Sequence, residues 1–188
     1  MMSEIIELDD VDSLGTGAVG TPGKRAFYIQ ARTENAQLTV LVEKEQVALL
    51  ATEAVAFLDR IADDYPEAPA SVPDNETTLR EPTVPLFRAR LIGLGFDPER
   101  SRVLIELRER AAEDEDEADG DDEDEALDVL SDGDDDEDAG YVARIYATRA
   151  QVRAMAARGA EAVAGGRPAC PLCDMPMDPA GHICPRWN

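Results

Sequence analysis

The sequence predicts an α+β protein: two duplicated β3α units followed by a zinc-binding C-terminal tail. Patterns typical of strands and then of a helix occur twice along the chain in the same order. Turn residues separate the strand-like segments at short intervals, so we expect mainly antiparallel pairing, in one sheet or two half-sheets, with the helices on one face. All three cysteines and the only histidine lie in the last nineteen residues, which indicates a metal site there.

Composition indicates a folded protein with one highly acidic insertion. Hydrophobic residues make up 44% of the 188 residues but only nine are aromatic, so the core should consist mainly of Val, Leu, Ile and Ala. The formal net charge is −23, yet residues 113–138 alone contain 18 acidic residues and no basic one. The remaining 23 acidic and 18 basic residues leave a net charge of −5, which is ordinary for a folded protein.

Residues 1–65 form the first predicted β3α unit. Strands are expected over 25–32 and 37–42, joined by a short polar connection. Before them, four glycines resemble a phosphate-binding loop, but they lead into a strand rather than a helix, so a turn between strands is favoured. Helical spacing then predicts an amphipathic helix over 44–62, with apolar positions at Val47, Leu50, Ala51, Ala54, Val55 and Leu58.

Residues 66–85 are rich in proline and polar residues and are interpreted as a connector. The second β3α unit is expected over 86–164. Its predicted strands cover 86–92, 102–108 and 141–147, with a turn at 95–98, and its helix covers about 149–164 with Thr148 as N-cap.

The acidic run interrupts this second unit at residues 111–139. Long runs of like charge are usually solvated, so we expect this stretch to be a disordered loop. Loop-closure entropy grows only slowly with length, so a hairpin can accommodate such a loop.

The order of patterns in the two halves indicates an internal repeat. One alignment places Arg25 over Arg102 and residues 15–19 over 92–96, whereas a larger shift is needed to superimpose the third strands and the helices. The two shifts differ by nearly the length of the acidic run, although any two βα patterns can be slid into partial register. The larger shift makes four pairs equivalent: Val40 and Ile145, Gln46 and Gln151, Val47 and Val152, Leu50 and Met155. We expect the last two pairs to be buried and the two glutamines to lie at matching first turns of the helices.

The predicted zinc-knuckle tail covers residues 165–188 and carries the motif C-x2-C, eight residues, then H-x-C, formed by Cys170, Cys173, His182 and Cys184. Three thiolates and an imidazole complete the tetrahedral shell of a structural Zn²⁺ ion. A redox dithiol and inert thiols are the alternatives for the C-x2-C pair. His182 is the weakest of the four ligands, because Asp174 or Asp178 could complete the shell in its place.

The repeat and the tail together resemble domain of unknown function 3090, a family of bacterial repeat proteins. The resemblance covers nearly the whole chain and depends on residues 146–151, Cys-Pro-Leu-Cys at 170–173, and residues 178–186, which include His-x-Cys-Pro-Arg. Asp174 departs from the family, which often has glycine there. The resemblance implies the fold and the tail, but no activity.

These observations favour a non-catalytic, zinc-stabilised binding or adaptor module that acts through protein–protein contacts. An enzyme with a purely structural zinc site is one alternative, but its candidates, the carboxylates, arginines, Tyr28, Tyr141 and Tyr146, lack diagnostic spacing. A nucleic-acid binder is less favoured, because the tail has one arginine and two aspartates and so no basic footprint. The acidic N-terminus and the lack of a long apolar run predict a cytoplasmic protein, with no membrane contact.

Overall fold

The structure, a computed structural model, describes residues 4–68, 70–109, 140–167, 170–173, 175, 177 and 182–187. These residues contain both strands and helices in an α+β fold, which confirms the predicted class. In chain order the elements are β1 (Glu4–Leu8), β2 (Ser13–Val19), β3 (Ala26–Arg32), β4 (Gln37–Val42), α1 (Lys44–Ala62), α2 (Asp74–Thr77), β5 (Phe87–Arg88), β6 (Leu91–Asp97), β7 (Arg102–Arg108), β8 (Tyr141–Ala147) and α3 (Arg149–Ala164).

The strands form two four-stranded sheets, in the orders β2-β3-β4-β5 and β1-β8-β7-β6. In each half of the chain three consecutive strands pair antiparallel and a helix follows the third. The fourth strand of each sheet comes from the other half and pairs in parallel with the third strand. Each half therefore completes the sheet of the other half.

The observed strand pairing corrects two predictions. The single strand expected over 86–92 is divided between the sheets: the amide of Ala89 donates to Leu41 O at 2.9 Å, and the next amide, of Arg90, donates to Arg108 O at 2.8 Å. The turn expected at 95–98 also lies later, because β6 stays paired with β7 as far as Asp97.

The register of the two halves differs by one position from the sequence alignment. Ile29 pairs with Val40 in the first sheet and Ile105 with Ile145 in the second. Since Val40 and Ile145 are equivalent, Ile29 corresponds to Ile105, whereas the alignment of Arg25 with Arg102 would place Ile29 over Glu106. A one-residue slip reverses the face of every side chain, so only the observed register places both isoleucines on the same face.

One hydrophobic cluster joins both helices with the inner faces of both sheets. The expected equivalent pairs are buried there: Val47 and Val152 are 1% and 0% exposed, and Leu50 and Met155 are 6% and 0% exposed. The predicted bounds of the two long helices agree with those observed.

The connector covers the outer face of the first sheet. A Cβ atom at Gly15 would lie 2.6 Å from the carbonyl oxygen of Thr77, so glycine is required there for the backbones to approach. Nearby, Gln30 exchanges hydrogen bonds with the backbone of Arg80 at 2.8 and 2.9 Å. The connector thus includes a short helix, α2, that the sequence did not indicate. The predicted disordered loop at 111–139 lies outside the described residues.

Candidate metal centre

The four predicted ligands come together in the tail. One ligand atom from each of Cys170, Cys173, His182 and Cys184 lies within 4.8 Å of all the others. The Sγ atoms of Cys170 and Cys184 are 3.8 Å apart, and Cys173 Sγ is 3.2 Å from Nε2 of His182. Cys170 and Cys184 are fourteen positions apart in the chain, so the fold of the tail brings the two halves of the motif to one point.

Two Cys-Pro turns and their hydrogen bonds give the tail this shape. The amide of Cys170 donates to the carbonyl of Met175 at 2.8 Å and closes the first turn. At the second turn, which follows Cys184, the guanidinium of Arg186 donates to the carbonyl of Leu172 at 2.9 Å. Proline cannot donate a ladder hydrogen bond, so these segments form turns rather than strands. Arg186 thus ties the second turn to the first.

The sulfur atoms are available to a metal. All three cysteines are free, and a sulfur separation of 3.8 Å is far from the disulfide bond length of about 2.05 Å. Cys170 and Cys184 are buried, at 4% and 7% exposure, whereas Cys173 and His182 are partly exposed. The arrangement could hold a metal ion between two buried and two partly exposed donors.

The thiols in the cluster differ in acidity. Hydrogen bonds from backbone amides, first that of Leu172, lower the pKa of Cys170 to about 7. For Cys173 the backbone of Met175 lowers the pKa, but burial and the neighbouring sulfurs of Cys170 and Cys184 outweigh it and raise the pKa overall. Of these two thiols, Cys170 is therefore the one that more readily supplies a thiolate to a metal.

The sequence identified all four members of this cluster because their spacing is local, but it missed the residues that shape the site. Met175 supplies only a carbonyl oxygen, which any residue has, so its identity carried no signal. Arg186 lies in the motif that carries the family resemblance, and its bond to Leu172 is a reason for an arginine there. The alternative ligands Asp174 and Asp178 lie outside the described residues.

Comparison with known proteins identifies the family. The pattern of the family described as "Protein of unknown function (DUF3090)" matches residues 6–184, which include nearly all of both sheets and the cluster. The chain belongs to the DUF3090 family. No curated protein and no solved structure matches it.

Arginines between residues 88 and 108 of this DUF3090 protein bear on the nucleic-acid alternative, and several of them have carboxylate partners. Arg100 contacts Glu7, Asp9 and Asp97, and Arg102 contacts Asp10 at 2.7 Å. The remaining pairs are Arg108 with Glu106 and Arg88 with Glu43. A phosphate backbone would have to compete with these carboxylates, which weakens the nucleic-acid interpretation.

Two of the three tyrosines considered for catalysis have structural ring contacts. Tyr141 in β8 stacks on Phe87 in β5 with ring centroids 5.6 Å apart, and this contact joins the two sheets. The guanidinium of Arg100 lies 4.3 Å from the ring centroid of Tyr146.

Among the described residues, no helix combines the length and the apolar character that a membrane span requires.

Proposed function

We propose that this DUF3090 protein is a non-catalytic binding module whose tail is shaped by one structural Zn²⁺ ion and contacts a protein partner. The observation that carries the proposal is the convergence of three thiols and one imidazole within 4.8 Å. Tetrahedral coordination by these four donors leaves no position for substrate or water, which is typical of structural rather than catalytic zinc.

The spacing of the donors supports zinc as the metal. Two thiolates bound at about 2.3 Å to a tetrahedral ion lie about 3.8 Å apart. The separation of the Cys170 and Cys184 sulfurs is 3.8 Å, which agrees with that geometry. Soft sulfur ligands together with a histidine favour Zn²⁺ over Mg²⁺ or Ca²⁺, which prefer oxygen ligands.

The surface of the tail supports a protein partner. Four large apolar side chains are exposed there: Ile183 at 90%, Trp187 at 80%, Met175 at 49% and Leu172 at 45%. Ile183 lies between the donors His182 and Cys184, so a bound metal would fix its position. Isolated exposed apolar residues are ordinary, but a group of them on one short segment is typical of an interaction surface, and tryptophan is enriched where binding energy is concentrated.

Co-purification from the native host tests this function. Wild-type protein should retain a specific partner, and the double variant Ile183→Ser/Trp187→Ser should lose it while keeping its zinc. Cys173→Ser should lose both, because the metal holds the surface in shape. Val84→Ser is the matched control, since Val84 is 72% exposed but lies in the connector. If all four proteins retain the same partners, the tail is not the binding surface.

A further inference from the structure

A second candidate site lies away from the tail cluster, at one end of the first sheet. There a cavity of about 410 Å³ opens between the start of β3, the end of β4, the start of α1 and the end of α3. Pockets for small organic ligands usually have volumes of about 300–1,000 Å³, so the cavity is large enough for such a ligand. The glycine-rich turn between β2 and β3 contributes Gly23 to its wall.

The charge of this cavity is opposite to that of the chain. Four cationic side chains and one carboxylate, that of Glu43, line it, in a chain whose formal net charge is −23. Concentrated positive charge in a concave site attracts anions despite the negative charge elsewhere. The cationic residues are Arg25, Lys44, Arg88 and Arg167.

Two of these cations are held in place by the surrounding fold. Arg25 donates to the carbonyl of Ala162 near the end of α3 at 3.0 Å, and its guanidinium lies 5.3 Å from the ring centroid of Phe27. Arg88 lies 3.2 Å from the carboxylate of Glu43, which offsets the only negative charge in the wall. The site is therefore partly preorganised before any ligand binds.

The second half of the protein provides an internal comparison. Lys44 is the first residue of α1, and its equivalent in α3 is Arg149. Arg149 donates to the carbonyl of Tyr65, lies 3.6 Å from the carboxylate of Glu67 and packs 4.8 Å from the ring centroid of Phe96. Groups of the protein itself therefore pair with the guanidinium of Arg149. Lys44 instead lines the cavity, and the described residues offer it no carboxylate partner.

We propose that this cavity binds a small organic phosphate. The phosphate group would lie among Arg25, Lys44 and Arg167, the lining cations other than the one paired with Glu43. The apolar wall formed by Phe27, Leu41 and Val163 would accept the organic part of the ligand. The site shares no residue with the metal cluster and does not depend on the function proposed for the tail.

Calorimetric titration of the full chain with phenyl phosphate tests the site. We expect saturable binding of one molecule per chain at low salt, tighter than binding of inorganic phosphate, because the phenyl ring contacts the apolar wall. Lys44→Gln and Arg167→Gln should each weaken binding about tenfold, since each removes a charge-assisted contact. Arg153→Gln is the matched control, because it removes one exposed positive charge on the outside of α3.

Two results would overturn the proposal. One is a lack of saturation at about 10 mM phenyl phosphate, a concentration that would fill a site of millimolar affinity. The other is a pattern of variants in which Arg153→Gln weakens binding as much as Lys44→Gln, or in which Lys44→Gln has no effect. Thermal unfolding of each variant shows whether it remains folded, and Lys44 and Arg167 are both exposed, so neither replacement disturbs the core.

Discussion

Gln30 and Glu106 occupy equivalent positions in the two sheets, but their side chains have different hydrogen-bond partners. Gln30 lies opposite Thr39 and Glu106 opposite Arg144, and these two opposite residues are themselves equivalent in β4 and β8. The amide of Gln30 bonds to Thr39 Oγ1 at 3.1 Å and to the backbone of Arg80 in the connector. Glu106 is 5% exposed and accepts hydrogen bonds from two guanidinium groups at 2.7 and 2.8 Å.

Replacement of Glu106 by glutamine should destabilise the second sheet. The neutral amide leaves Arg108 and Arg144 without their carboxylate. These arginines are about 30% exposed, so solvent screens part of the effect, and we expect a loss of about 2 kcal/mol in the free energy of unfolding. Urea denaturation measures the loss, with Glu99→Gln as the control on an exposed residue.

The lowered pKa of Glu106 predicts how stability depends on pH. Burial raises the pKa of Glu106, but the hydrogen bonds from Arg144 and Arg108 outweigh it and hold the pKa below its ordinary value. Its contribution to stability is therefore present above about pH 4.3 and is lost as the pH falls through the lower, folded pKa. The difference between wild type and Glu106→Gln should shrink in that acidic range. A constant difference from pH 7 to pH 2 would contradict this account.

Gln151 and Gln46 permit a matched comparison, because they are equivalent N3 residues of α3 and α1. Each accepts a hydrogen bond from its N-cap amide, at 2.8 Å in both helices. Each side-chain amide also reaches the other half, Gln151 to Val11 O at 2.7 Å and Gln46 to Arg90 O at 3.0 Å.

Gln151 is buried, so its replacement by alanine leaves buried backbone groups unpaired and should cost about 2 kcal/mol. Gln46→Ala should cost less than about 1 kcal/mol, because water can replace its bonds at the surface. Thermal unfolding of both variants provides the comparison. Equal losses would show that burial does not decide the cost.

Removal of the metal should affect the tail far more than the sheets. Protein purified without added metal should contain one zinc per chain, and Cys173→Ser should contain much less. Because the binding energy of a structural zinc is folding energy, amides in residues 170–187 should exchange hydrogen faster in the variant while those of β3 and β7 stay protected. A metal-free tail with unchanged protection and freely reactive thiols would exclude the proposed role of zinc.

Deletion of residues 113–138 should leave the fold intact, although that segment lies outside the described residues. The strands on either side of it are adjacent, since the amide of Glu109 donates to the carbonyl of Tyr141 at 2.9 Å. A short turn can therefore replace the segment, and the loss of 18 acidic residues reduces charge repulsion. The melting temperature should rise or stay constant. A decrease of more than about 5 °C would show that the segment contributes to packing.

The sequence by itself determined the features that depend on neighbouring residues. Apolar spacing located α1 and α3, and Thr148 marked the start of α3, because spacing and capping act within a few residues of the same chain. Alternation located β3, β4, β7 and β8 for the same reason. The clustering of the four candidate metal ligands was also predictable, since all the cysteines and the only histidine lie within fifteen positions.

Only the tertiary structure decided which strands pair. The segment from 86 to 92 alternates as one strand, yet Ala89 and Arg90 bond to different sheets. Alternation of apolar and polar residues indicates that a segment is extended, but the strands that it pairs with lie far away in the sequence. A shift of the pairing register by one residue leaves the local backbone conformation unchanged, so the local sequence does not decide the register. The cationic cavity has the same origin, because Arg25, Lys44, Arg88 and Arg167 are scattered over more than a hundred residues and meet only when the two halves exchange strands and pack their helices together.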